Sequence, residues 1–320
     1  MEFWQLILKI GIVIAGIIVG IGMFSEVCWS VKLKVASTIL AGVILIGFLA
    51  PLRTTVDTLG VVSVPGFGGA ITLIGLAVLT GFIGYFISWP YGREIGILAV
   101  PSGLAVWAIS YGSMADLMRT NPSLTQKLDL FAMLKWEPIF WLLVVAAGFV
   151  GVLIGHKVTH KRSSNESSNK SIVSTKNLYL NAIITILLSI FLVQLCIGIF
   201  AQDIRIPDAT LGLVVVGQPA VGQIVFAVLV SFGIVAFVFK KFLDASYIWP
   251  IIASALVTLF IIIFKIEQDT LQSFIERYPP VFFPNAVITI LPVQMVAFGT
   301  LGSIAGYWLA IYCSRQNTAK

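Results

Sequence analysis

Long apolar runs follow one another along almost the entire chain, and that feature leaves few folds open to it. Crossing the hydrocarbon layer of a bilayer takes about 20 mostly apolar residues in a helix. About nine segments meet that length within a few residues: 3–24, 35–52, 70–88, 95–114, 138–154, 178–200, 221–239, 247–264 and 286–312. The composition agrees, with 58% hydrophobic residues, 11% charged residues and a mean hydropathy of +1.02. Lipid offers no partner to a free backbone donor or acceptor, and these runs are too long and too uniformly apolar for barrel strands. The expected fold class is therefore an all-α polytopic membrane protein with about nine transmembrane helices. The first run opens with Glu2, holds Lys9, and is followed by no small-x-small cleavage site, so it reads as a helix and not as a secretory signal.

Orientation follows from the short loops, because Lys and Arg are retained on the cytoplasmic side. With the N-terminus outside, the cytoplasmic segments contain Lys32, Lys34, Arg93, the basic residues of 157–176, Lys240, Lys241, Arg315 and Lys320. Their net charge is about +8 and that of the outer segments about −2, which together make the +6 of the whole chain. The expected location is a cell or inner membrane, with the linker and C-terminus cytoplasmic. The basic balance reports topology, and no nucleic-acid partner is read from it.

The order of marks along the chain points to duplication. Arg53 precedes Thr58-Leu59-Gly60, and Arg205 precedes Thr210-Leu211-Gly212. A Val-rich Gly/Pro segment follows each, VVSVPGFGG and LVVVGQPAVGQ, and then a helix. The next helix carries Pro101 or Pro250 near its start, and the loop after it contains Arg119-Thr-Asn-Pro122 or Arg277-Tyr-Pro-Pro280. The last helix holds Pro138 or Pro292, then Gly148 or Gly302. An ordered series of this kind predicts two parallel four-helix repeats related by a pseudo-two-fold axis along the membrane normal, with helix 1 as an extra element. The domain reading is an extra helix and loop over 1–34, a first repeat over 35–160, a flexible Ser/Asn/Lys-rich linker over 161–177, a second repeat over 178–313 and a tail over 314–320.

Four arginines fall at the outer ends of the predicted spans: Arg53, Arg119, Arg205 and Arg277. A guanidinium grips phosphate or carboxylate through paired hydrogen bonds, so the set is a candidate site for an anionic headgroup or solute. The competing reading makes them lipid-snorkelling or ion-paired residues beside Asp57, Asp116, Asp203, Asp208 and Glu276. Gly60, Gly212, Pro65 and Pro219 are candidates for the repeat turns and for lining a cavity. The segments 61–69 and 213–221 read as re-entrant or cavity-capping backbone, or as surface segments. In LTQKLDLFAMLKW, Leu124, Leu128, Phe131 and Leu134 recur at helical spacing, which predicts an amphipathic helix in the outer interface, with Lys127 off its apolar face. Leu271, Phe274, Ile275 and Tyr278 make the counterpart. GFGG before the third span reads as a close-packed turn.

Chemistry-bearing motifs are sparse. No Ser-His-Asp set, acidic pair, Cys-His cluster or phosphate-binding Gly loop falls in a predicted span, so no catalytic residue, cofactor or metal is expected. His156 and His160 stand four apart on one face but lack a third ligand, and a capping role is preferred. Cys28, Cys196 and Cys313 read as unpaired thiols. Gln194, Gln223, Gln294 and Asn181 read as interhelical glue. The expected function is a non-enzymatic, internally duplicated membrane protein handling a small anionic solute or lipid headgroup. The alternative is a structural or assembly subunit bound to other membrane proteins, and a membrane-embedded transferase is a third, lesser reading.

Overall fold

The structure is a computed structural model and describes residues 29–53, 66–110, 112–160, 175–201, 204–209, 212–266 and 268–318. The expected first span at 3–24, the turn residues Gly60 and Pro65, and linker residues 161–174 lie outside the described residues. Among those described, 8 helical stretches are long and apolar enough to cross a membrane, and they fall on the eight later runs of the sequence. The chain is mainly helical, with the helix length and apolarity of an integral membrane protein.

Its contacts divide it into two compact units, one containing 64–112 and 143–167 and the other 113–142 and 168–320. In the first unit, α1 (Trp29–Gly42) runs on through a π-helical stretch, Val43–Leu49, into α2 (Ala50–Arg53). Then come α3 (Phe67–Ile87), α4 (Gly92–Ile95), a 3-10 turn (Gly96–Leu98) and α5 (Ala99–Ser110). The long α8 (Glu137–His160) contributes its residues from Leu143 onward.

Helix α5 is the axis of this unit, since every residue from Ala99 to Ala108 is buried. Pro101 is its third residue, a first-turn position where the missing N–H breaks no helical bond. Small residues let the neighbouring backbones come close. A Cβ at Gly42 would run into the Ala99 carbonyl, and one at Gly103 into that of Gly42. Helices α3 and α8 meet in the same way, Gly81 against the Gly148 carbonyl and Gly151 against that of Val78. Lipid tails are as apolar as leucine, so such contact holds helices together by van der Waals attraction. The GFGG turn departs from expectation. Gly66 and Gly68 have no heavy atom near a built Cβ, so close packing does not explain them.

The second unit has four long helices, α9 (Thr175–Phe200), α10 (Val221–Leu243), α11 (Ile248–Lys265) and α13 (Pro292–Thr318). Pro250 is the third residue of α11, and Pro292 the first of α13. Where α10 crosses α13, Gly302 abuts the Leu229 carbonyl and Gly306 that of Gly233, with Phe232 and Phe298 buried beside them. Only 22% of the α9 span is buried, and Leu187, Phe191, Leu195 and Ile199 stand exposed along it, as lipid-facing residues do. Gln223 at the start of α10 donates to the Phe200 carbonyl at the end of α9, the bridging role expected of it. Cys196 and Cys313 are unpaired.

One small element adds to the helices. Residues 213–217 are not irregular backbone, because they form the central strand of a three-stranded antiparallel sheet. Strand β2 (Leu213–Gly217) pairs with β1 (Arg205–Asp208) from Arg205 opposite Val216 to Asp208 opposite Leu213, and with β3 (Phe282–Phe283) through Val216 and Phe283. Three consecutive valines favour extended backbone. Gly212 turns the hairpin at φ +60, a conformation that other side chains rarely adopt. Val215 and Val216, which point to opposite faces of the sheet, are both buried, while Val214 is exposed.

Candidate functional site: an arginine-bearing cap on the second unit

Between its spans the second unit carries a cap made of the sheet and three short helices, α6 (Met114–Thr120), α7 (Leu124–Leu134) and α12 (Gln268–Arg277). The starts of α6 and α7 are fixed by sequence. Ser113 with Asp116, and Ser123 with Gln126, each form a capping box, in which side chain and backbone satisfy each other's free donors.

Gln218 ties these pieces together. Its Oε1 accepts from the Ala115 N–H at 3.2 Å, a donor in the first turn of α6 that has no helical partner. Its Nε2 donates to the Thr289 carbonyl at 3.1 Å, in the 3-10 turn Ala286–Thr289, and its own N–H donates to the Val281 carbonyl at 2.9 Å. One glutamine therefore fastens the sheet to α6 and to the approach of α13.

Helix α7 is amphipathic, but its buried stripe is shifted from the expected one. Lys127, Leu130, Phe131 and Leu134 are buried, whereas Leu124 and Leu128 are half-buried. Lys127 thus belongs to the covered face, at 5% exposure. The reason is that α7 packs on protein. Phe131 lines one small cavity with Met118, Leu271, Phe274 and Phe283, and another with Met114, Thr258 and Ile288. Each has room for roughly one water molecule. The Thr258 hydroxyl is buried without a hydrogen-bond partner among the described residues. Leu271 and Phe274 of α12 are buried as the periodicity predicts.

The expected arginines fall as follows. Arg53 ends α2, in the first unit. Arg119 sits in the last turn of α6, exposed, 3.9 Å from the Asp116 carboxylate. Arg205 opens β1 and donates to the Gly198 carbonyl in the last turn of α9 at 2.7 Å. Arg277 ends α12, 4.0 Å from Asp208 at the far end of β1. Asp208 also accepts from the Tyr278 hydroxyl at 2.9 Å, and Tyr278 stacks on Phe274. That bond to Asp208 raises the Tyr278 phenol above its ordinary value, with burial and the Asp208 charge acting in the same direction and Arg277 opposing them. Arg205 and the Asp208 that meets Arg277 stand at opposite ends of β1, about 10 Å apart along the strand. Gly212 is exposed in the hairpin turn, and Pro219 is buried next to Gln218.

Three functional-looking residues escaped the sequence reading. Gln218 closes the valine run but follows no pattern that marks it as a knot. Lys127 has the polarity of a surface residue. Glu137 opens α8 buried at 2% exposure; its Oε1 accepts from the Trp141 indole at 2.9 Å, and its Oε2 has no partner among the described residues. The only signal for it was a carboxylate one residue before Pro138, in the first helical turn where the dipole favours negative charge. In the first unit, His156 Nδ1 lies 3.5 Å from the Tyr85 hydroxyl, and no group of three metal-ligating side chains occurs among the described residues. No protein-family model, curated protein or solved structure matches the chain.

Proposed function

We propose that this chain is an internally duplicated membrane protein that meets a small anionic group, a lipid headgroup or a solute, through the arginines of its outer ends. The observation that carries the reading is the placement of two arginines along one strand: Arg205 opens β1, and Arg277, from a segment about 70 residues away, reaches Asp208 at its far end, with 48% of the Arg277 side chain exposed. Arg119 adds a third guanidinium to the same cap at 59% side-chain exposure. Arg53 enters by its place in the sequence repeat.

Duplication is supported by parallels inside each unit. Pro101 and Pro250 occupy the third position of their helices, Pro138 and Pro292 the first turn of theirs. The crossing at Gly81 and Gly148 has its counterpart at Gly233 and Gly302. The orientation proposed is N-terminus outside, which puts the cap on the outer face.

The test replaces Arg53 and Arg205 together by Gln and compares retained anionic lipid and thermal shifts across a panel of anions. Each charge-assisted contact is worth roughly 1.5–3 kcal/mol, so the pair should weaken binding about a hundredfold or more. Lysine should rescue partly, since an ammonium lacks the planar fork. Equal retention and equal shifts would refute the reading. An assembly-subunit role would then be preferred, and it has its own support in the second unit, where helices meet backbone to backbone and the two cavities described are water-sized.

A further inference from the structure

A second cationic surface appears at one end of the first unit, where basic residues are interleaved with exposed aromatic rings. Helix α1 begins there with Trp29, which is 68% exposed, followed by Lys32 and Lys34. The turn between α3 and α4 brings Trp89 and Tyr91, exposed at 51% and 48%, and then Arg93. Lys34 joins the two segments: its Nζ donates to the Trp89 carbonyl at 2.6 Å and lies 5.7 Å from the centre of the Tyr91 ring. Helix α8 reaches the same end, because His156 approaches Tyr85 near the close of α3 and exposed Lys157 follows it. Glu94 is the one acid among these residues. Neither the Lys32 ammonium nor the Arg93 guanidinium has a side-chain hydrogen bond or ion pair among the described residues.

Indole and phenol rings settle at headgroup depth, where one edge is apolar and the other wet, and anionic lipid attracts cations held at that depth. Here Lys34 ties the turn that carries Trp89 and Tyr91 to α1, so the end of the unit has both the depth marker and the charge. We infer that this end is a docking surface for the phosphodiester headgroup of an anionic glycerophospholipid, held by Lys32, Arg93 and Lys157 around the Lys34–Trp89 link. The inference does not depend on the arginine cap of the second unit.

The experiment titrates full-length protein in mild detergent with dioctanoyl phosphatidylglycerol or dioctanoyl phosphatidylcholine, and reads bound lipid by native mass spectrometry and melting temperature. The double variant Lys32→Gln/Arg93→Gln leaves the Lys34–Trp89 bond in place. It should keep the lipid-free melting temperature and bind phosphatidylglycerol about 30-fold more weakly. Making the same comparison in an Arg119→Gln/Arg277→Gln background removes these two cap arginines, and the difference of about 30-fold should persist there, which separates this surface from the cap. Unaltered phosphatidylglycerol affinity in the Lys32/Arg93 variant, equal affinity for phosphatidylcholine, or displacement by millimolar inorganic phosphate would each overturn the assignment.

Discussion

Two glycines of a single helix crossing should respond in opposite ways to the same substitution. A methyl group at Gly306 would run into the carbonyl of Gly233, which is backbone and cannot rotate away. At Gly233 itself, the nearest atom to an added Cβ is the Gly302 carbonyl at 3.6 Å, an ordinary contact. For Gly306→Ala, α10 and α13 must separate, and overpacking of this kind costs about 1–3 kcal/mol. For Gly233→Ala there is no such cost, and replacing a helical glycine by alanine is favourable by up to about 1 kcal/mol. Thermal unfolding in detergent, at roughly 2–4 °C per kcal/mol, should show Gly306→Ala melting several degrees below wild type and Gly233→Ala at or above it. Gly222→Ala, with open space around its Cβ, controls for helix propensity alone. Equal loss at 306 and 233 would refute the argument that carbonyl contact at Gly306 sets the helix separation.

Gln218→Leu should cost about 2–4 kcal/mol by stranding the buried Ala115 N–H and Thr289 carbonyl, and hydrogen exchange should quicken over 114–120 and 286–291. Gln218→Glu keeps the acceptor for Ala115 and should protect α6 more than the 3-10 turn. The raised phenol of Tyr278 sets a sign for alkaline pH. Its contribution is complete below the unfolded tyrosine value of about 10 and lost as pH climbs through the higher folded value. Wild type should therefore lose stability in that window relative to Tyr278→Phe, with a phenolate absorbance titration displaced upward. Single cysteines placed at Gln126 or Gln272 should label from outside with an impermeant thiol reagent, and those within 161–176 should not; the reverse result would invert the orientation.

The spans were legible because hydropathy over 20 residues depends on nothing outside the segment, and first-turn prolines such as Pro101 and Pro250 punctuate them locally. The cap was not. Whether Leu-Val-Val-Val-Gly forms a strand is decided by Arg205–Asp208 and Phe282–Phe283, residues that no local pattern joins to it. Whether a face of α7 meets protein or water is decided by distant partners, as where Leu271 and Phe274 of α12 stand beside Phe131. A one-residue shift of an amphipathic stripe, with a lysine in the covered row, cannot be read from α7 alone. The candidate arginines were found by type and position, but their acceptors, Asp116 in the same turn and Asp208 on a strand, became visible only with the fold.

Gln218 also sets a clock for biogenesis. It completes a bond to Ala115, a residue made 103 positions earlier. At synthesis rates of about 5–20 residues per second, α6 and α7 emerge about 5–20 s before the strand that fastens them. During that interval Leu130, Phe131 and Leu134 have no protein cover from α12, which is made later still. The resting place open to such a helix is the bilayer interface, where its apolar stripe is sheltered and its polar side is wet. Docking of α7 onto the cap is then a transfer from lipid to protein, timed by the arrival of the second half of the chain.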